Sequence, residues 1–213
     1  MGEAQIAVLA GVNGAGKSSI AGAMIRHGGG EYFNPDEVAQ TLRTHRPSLS
    51  VREANALAWQ EGIRRLRAAI DAQTAYTFET TLGGKTVADA LEAAARGGAR
   101  VRIWYAGLRS VELHLARVEA RVRRGGHDIP EADVRRRYRS SQLNLIRLMP
   151  HLAELQVFDN SSDADPFEGS PPAPALVVHL RRGRIVAPRD LRETPEWAKA
   201  IVAAAMTLAT RRP

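Results

Sequence analysis

Short apolar runs alternate with amphipathic stretches along the chain, a pattern that predicts strands and helices in succession. Gln5–Ala10 is free of charge, as expected of a strand buried on both faces, and leads through a glycine-rich turn to a helix expected over residues 17–27. Gly28, Gly29 and Gly30 close that helix, and residues 31–34 read as a short second strand ending at Pro35 and Asp36. A helix from near Asp36, a loop around residues 46–48 and a long helical pattern over 51–72 lead to a third strand, 74–78, with Glu79 at its end. Lys85–Arg96 is an alanine-rich helix closed by Gly97 and Gly98, and 100–105 is a fourth strand of β-branched and aromatic residues. Helical patterns over 110–124 and 131–148 flank the loop 125–130. A fifth strand at 156–158, a polar loop at 161–174, a hairpin (176–180 and 185–187) around Arg182 and Gly183, and a terminal helix from about Pro195 complete the chain. Strands alternating with helices imply a mostly parallel sheet covered on both faces, with ligands at the strands' carboxyl ends.

The turn after the first strand carries the first candidate chemistry. Gly11-Val12-Asn13-Gly14-Ala15-Gly16-Lys17-Ser18 fits G-x-x-x-x-G-K-[ST] and lies between an expected strand and an expected helix, the context in which this motif binds nucleotide phosphates. The backbone N–H groups of Gly11, Asn13, Gly14, Ala15 and Gly16 can converge on phosphate oxygens, and the helix N-terminus adds partial positive charge. Lys17 reaches the β- and γ-phosphates of ATP, the Ser18 hydroxyl is suited to ligate magnesium, and Ser19 can donate to the α-phosphate. The fold class expected is α/β, a P-loop NTPase of the nucleotide-kinase type: a three-layer sandwich around a mostly parallel five-stranded sheet, with a C-terminal hairpin and helix. One domain, 1–213, suffices for this architecture.

Carboxylates at strand ends narrow the class. No long apolar strand ends in Asp-Glu, as a motor ATPase would require, and Asn-Lys-x-Asp, the mark of GTP specificity, is absent. Asp36, Glu79 and Asp159 instead stand at strand tips, where the transferred phosphate must lie. Asp36, on a strand expected beside that of the P-loop, is the candidate base that accepts an attacking hydroxyl's proton. It is also a favoured residue type for capping the next helix. Glu79, with Thr80 following, is a candidate for substrate or metal binding, or alternatively a strand-end hydrogen-bonding group.

Charge adds a lid to this picture. The chain is basic, net +7, and arginines 117, 121, 123, 124, 135, 136, 137 and 139 crowd one stretch, with Arg64, Arg65 and Arg67 in a second cluster. Tyr138 is the one aromatic in the first stretch and the second has none, a sparseness that favours a phosphorylated small molecule over nucleic acid. Residues 109–149 are expected to form a helical lid closing over the phosphates, with Arg121, Arg124 and Arg137 stabilising the transferred group and His127 a loop hydrogen-bonding residue. Cysteine is absent, no apolar run is long enough to span a bilayer, and no secretory leader is evident, so a cytoplasmic location is expected.

The segments 11–19 (Gly-Val-Asn-Gly-Ala-Gly-Lys-Ser-Ser), Phe33-Asn34-Pro35-Asp36, Phe78-Glu79-Thr80-Thr81, 125–130 (Gly-Gly-His-Asp-Ile-Pro) and Arg136-Arg137-Tyr138 together resemble the zeta toxin-like P-loop kinases. The resemblance implies ATP-dependent phosphorylation of a sugar hydroxyl on UDP-N-acetylglucosamine. It further implies that Lys17 binds phosphates, Asp36 is the general base, Glu79 holds the sugar and lid arginines stabilise the moving phosphate. The stretch between Asp36 and Glu79 is shorter than in the best-known toxins of the family, and an antitoxin partner does not follow from the chain itself. Two rival readings stand: a P-loop kinase of another sugar, nucleoside or antibiotic hydroxyl, and an ATP-dependent nucleic-acid-binding switch.

Overall fold

The computed structural model describes residues 2–17, 20, 32–126, 128–162 and 174–211. Most of the expected helix over 17–27, including Ser18 and Ser19, lies outside the described residues, as do His127 and most of the loop 161–174. Among those described, the strands are β1 (Gln5–Ala10), β2 (Tyr32–Phe33), β3 (Ala75–Thr80), β4 (Arg100–Gly107), β5 (Glu154–Asp159), β6 (Ala175–Arg181) and β7 (Arg184–Ala187). The helices are α1 (Pro35–His45), α2 (Val51–Asp71), α3 (Lys85–Arg96), α4 (Val111–Arg123), α5 (Glu131–Leu148) and α6 (Lys199–Thr210), with 3-10 turns at Met149–His151 and Glu196–Ala198. No helix among the described residues is long and apolar enough to cross a membrane.

All seven strands join one sheet in the order β2-β3-β1-β4-β5-β6-β7. The first five are mutually parallel, and β6 and β7 run antiparallel at the edge. The sheet therefore has seven strands where five were expected, because the C-terminal hairpin pairs along β5 instead of standing apart. β2 also lies one strand further out than expected: β3 is inserted between it and β1, with Val8 opposite Phe78 and Phe33 opposite Phe78 on the far side. A two-residue strand suits an edge, whereas the six-residue β3 carries Tyr76, Thr77 and Phe78 into the interior.

The composition of β1 explains its central place. Ile6, Val8 and Ala10 face one core with Leu66, Leu91, Leu145 and Leu148, while Ala7 and Leu9 face another with Trp104 and Ala106, and all of β1 beyond Gln5 is buried. The chain leaves β1 toward β2 and β3 on one side and returns to β4 on the other, so the carboxyl end of β1 is the point where connections diverge and a crevice opens. Helix ends confirm the local signals. Ser50 and Glu53 form a reciprocal capping box on α2, Ser110 caps α4, and α3 and α5 begin and end where the amphipathic patterns predict.

Candidate active site

The P-loop follows β1 at this crevice. Gly14 and Gly16 have φ of 82° and 71°, a left-handed backbone that side chains rarely adopt. Space is closed there too: a Cβ on Gly14 would lie 2.5 Å from the His114 carbonyl oxygen, and one on Gly16 would collide with the Asn160 amide. Three elements thus grip the loop. Asn160, just after β5, donates from Nδ2 to the Ala15 carbonyl at 2.9 Å; Arg137 of α5 donates to Asn13 Oδ1 at 2.8 Å; and His114 of α4 lies 2.8 Å from the Asn13 carbonyl. A carbonyl can only accept, so His114 Nδ1 carries the proton. Arg117, one turn beyond His114, donates to the Ser162 carbonyl at 2.9 Å, and its Nη1 would lie 3.7 Å from a Cβ on Gly16. His114 and Asn160 carry no sequence signal of their own. Among residues 111–118 a histidine between leucines reads as core, and only the position of Asn160 at a strand's carboxyl tip hinted at a ligand edge.

His114 is 1 % exposed, and burial, together with the positive Lys17 and Arg117 nearby, depresses its imidazole to about 4 against the opposing bond to Asn13. Its folded value lies below its unfolded one, so the unfolded chain takes up the proton first as pH falls. The protein is therefore expected to lose about 3 kcal/mol between pH 6.5 and 4 through this residue alone. Urea unfolding at pH 7 and pH 4.5 measures it: His114→Gln should flatten the acid slope, and an unchanged slope would place the proton elsewhere.

Lys17 is 9 % exposed, and its Nζ donates to the Gly11 carbonyl at 2.8 Å and lies 3.3 Å from Glu79 Oε1. Glu79 stands beside it because Leu9 and Glu79 are register partners. Its other oxygen accepts from the Tyr32 hydroxyl at 2.8 Å, and burial, reinforced by the Glu79 charge, raises the Tyr32 phenol above its ordinary value. Tyr32 was not among the candidates, because its contact crosses from β2 to β3. Asp36 lies in the first turn of α1, but the cap is Asn34, whose side chain accepts from the Asp36 N–H at 3.0 Å. The Asp36 carboxylate instead lines a cavity of about 400 Å³ that also takes in Lys17, Glu79, Thr80 and Arg137. Asp159, by contrast, accepts from the Ser161 N–H at 3.0 Å and from its hydroxyl, closing a turn two strands from β1 and outside this cavity.

Of the three arginines expected to stabilise phosphate, only Arg137 lines the cavity. Arg121 packs against Gly126, and Arg124, exposed, caps α4. Gly125 and Gly126 donate to the carbonyls of Val122 and Arg121, the paired bonds of a helix-terminating Schellman motif. A larger cavity, about 560 Å³, opens beside the amino ends of the strands near Glu3, Gln73 and Gly98. It holds neither the P-loop nor the strand-tip carboxylates, so the chemistry points to the smaller one.

No family model matches the chain. An uncharacterized protein of Haemophilus influenzae is 31% identical over 133 residues, covering 60% of this chain and 88% of the relative. The chain belongs to the family of that Haemophilus protein. Among solved structures, a chain of the AvrRxo1-ORF1:-ORF2 complex with ATP superposes with a TM-score of 0.64 at 16% identity, covering 96% of this chain; this chain spans 64% of that one. A chain from the PezAT chromosomal toxin-antitoxin system of Streptococcus pneumoniae gives 0.55 at 14% identity, covering 98% and 87% of the two chains. The fold of the family member described here is that of the zeta toxin-like P-loop kinases.

Proposed function

We propose that the protein is a cytoplasmic small-molecule kinase that uses ATP and magnesium to phosphorylate a hydroxyl, with UDP-N-acetylglucosamine as the leading acceptor. The observation that carries this reading is the convergence of Lys17, Glu79 and Asp36 on one cavity at the carboxyl ends of the strands. The loop fits a polyphosphate: its left-handed glycines let its backbone turn tightly against His114 and Asn160, and a buried lysine waits at its end. ATP supplies the γ-phosphoryl group. Lys17 exchanges the Gly11 carbonyl and Glu79 for phosphate oxygens, the Ser18 hydroxyl would hold the magnesium that neutralises phosphate charge, and Glu79, released from Lys17, holds the acceptor together with Thr80. Asp36 takes the acceptor hydroxyl's proton as its oxygen bonds to phosphorus and the bond from the γ-phosphorus to the bridging oxygen breaks. Arg137, tied to Asn13, is placed to neutralise charge on the moving group, with Arg121 and Arg124 in the remainder of the lid, 109–149. Likeness to a chain of a toxin-antitoxin system supports a protein antitoxin as a partner.

Incubation with ATP, magnesium and a panel of sugar nucleotides, followed by mass spectrometry for one added phosphate, tests the reaction and the acceptor together. Transfer to UDP-N-acetylglucosamine is expected; no transfer to any hydroxyl, with tight salt-sensitive binding to nucleic acid instead, would overturn the kinase reading. Tyr32→Phe removes the hydrogen bond that orients Glu79. Bonds to a charged group contribute about 1.5–3 kcal/mol. The acceptor KM is therefore expected to rise about tenfold or more while the ATP KM changes less than about twofold, in steady-state assays varying each substrate. A rise confined to the ATP KM would assign Glu79 to the nucleotide side.

A further inference from the structure

The chain contains three tryptophans. Trp104 and Trp197 are core residues, 4 % and 7 % exposed, whereas Trp59 is 44 % exposed and is the one aromatic among the large apolar side chains left in water among the described residues. Its place is specific. Asn55, Ala56, Trp59, Gly62 and Ile63 recur at helical spacing and form one wall of the cavity that holds Asp36 and Glu79. These α2 residues carry no formal charge, while the same cavity is lined elsewhere by Asp128, Asp133 and Arg137.

A hydroxyl held at Asp36 and Glu79 leaves the Trp59 wall to a different part of the same acceptor. An exposed indole face attracts another flat ring in an offset stack. The exposed Asn55, one turn earlier on the same wall, offers both a donor and an acceptor, the pairing that the edge of a nitrogen heterocycle needs. We propose that Trp59 is the stacking platform for a flat, uncharged heteroaromatic ring at the end of the acceptor remote from the transferred phosphate, with Asn55 hydrogen-bonding to that ring's edge. The proposal rests on the kinase reading of this cavity and deepens it: the acceptor is bipartite, and Trp59 selects for its base. A saturated sugar also offers C–H groups to an indole, so the test separates the two.

The full chain, saturated with ADP to fill the P-loop, is titrated with UMP and separately with N-acetylglucosamine while tryptophan emission is followed. Because Trp104 and Trp197 are buried, quenching reports on Trp59. UMP is expected to quench saturably and N-acetylglucosamine to leave the emission unchanged. By calorimetry, Trp59→Phe should keep UMP affinity within about threefold and Trp59→Ala should lose about tenfold or more, the range of base–aromatic stacking. Asn55→Ala should lose affinity by a smaller factor. An unaltered ADP-induced shift in melting temperature verifies that each variant is folded. No binding of UMP to the wild type, equal UMP affinity in Trp59→Ala, or quenching by the sugar alone would each overturn the assignment. None of these readouts requires phosphate transfer, so UMP binding without transfer to any acceptor would sink the kinase reading and leave the stacking site standing.

Discussion

Lys17→Ala is expected to abolish transfer, lowering kcat/KM by at least about 10³-fold, or about 4 kcal/mol of transition-state stabilisation. The ammonium is the only cation of the P-loop, and it lies 9 % exposed at the end of a cradle whose other groups are neutral backbone amides. Without it, a partly desolvated triphosphate keeps its backbone donors and loses its point charge. ATP affinity is expected to fall as well, because the contact proposed for Lys17 with phosphate is made in the ground state. The substitution also strips Glu79 of its cation at 3.3 Å and leaves the Tyr32 hydroxyl as its partner. A melting curve beside the single-turnover assay separates that local effect from loss of fold. Turnover at the wild-type rate would remove the basis for reading this chain as a P-loop kinase.

Asp36→Asn is expected to slow the chemical step by about 10²- to 10⁴-fold, or about 3 to 5.5 kcal/mol of barrier, with ATP affinity preserved. The carboxamide keeps the size of the side chain and cannot accept the hydroxyl's proton. The structure sharpens this experiment, because the helix cap that Asp36 was equally suited to provide is supplied by Asn34. The substitution therefore leaves the cap intact, and a melting temperature close to wild type is expected. Single-turnover transfer and ATP binding are measured on one preparation. If Asp36→Asn transfers phosphate within about threefold of wild type, the base must be another group. Glu79, 3.3 Å from Lys17 Nζ and lining the same cavity, would then be the next to examine.

What the sequence determined by itself is whatever neighbouring residues decide among themselves. The turn after β1 was legible because its pattern resides in eight consecutive residues: glycines that permit φ of 82° and 71°, a lysine, and a hydroxyl. The same holds for β1, α3 and α5, whose bounds follow from local apolar periodicity and flanking breakers. Pairing and convergence were decided only in the tertiary structure. β3 displaced β2 from the side of β1, and the hairpin was drawn into the sheet, because strand partnership depends on which buried surfaces meet across long loops. That displacement set Glu79, and not the strand leading to Asp36, beside Lys17, and brought Tyr32 onto Glu79. Likewise Asn160, 145 residues from Ala15, and His114, 101 from Asn13, grip the P-loop through contacts that no local pattern encodes. Asp159 stands at a strand tip as expected, but its strand was placed on the far side of β4, so its carboxylate closes a turn outside the cavity that Lys17, Asp36 and Glu79 line.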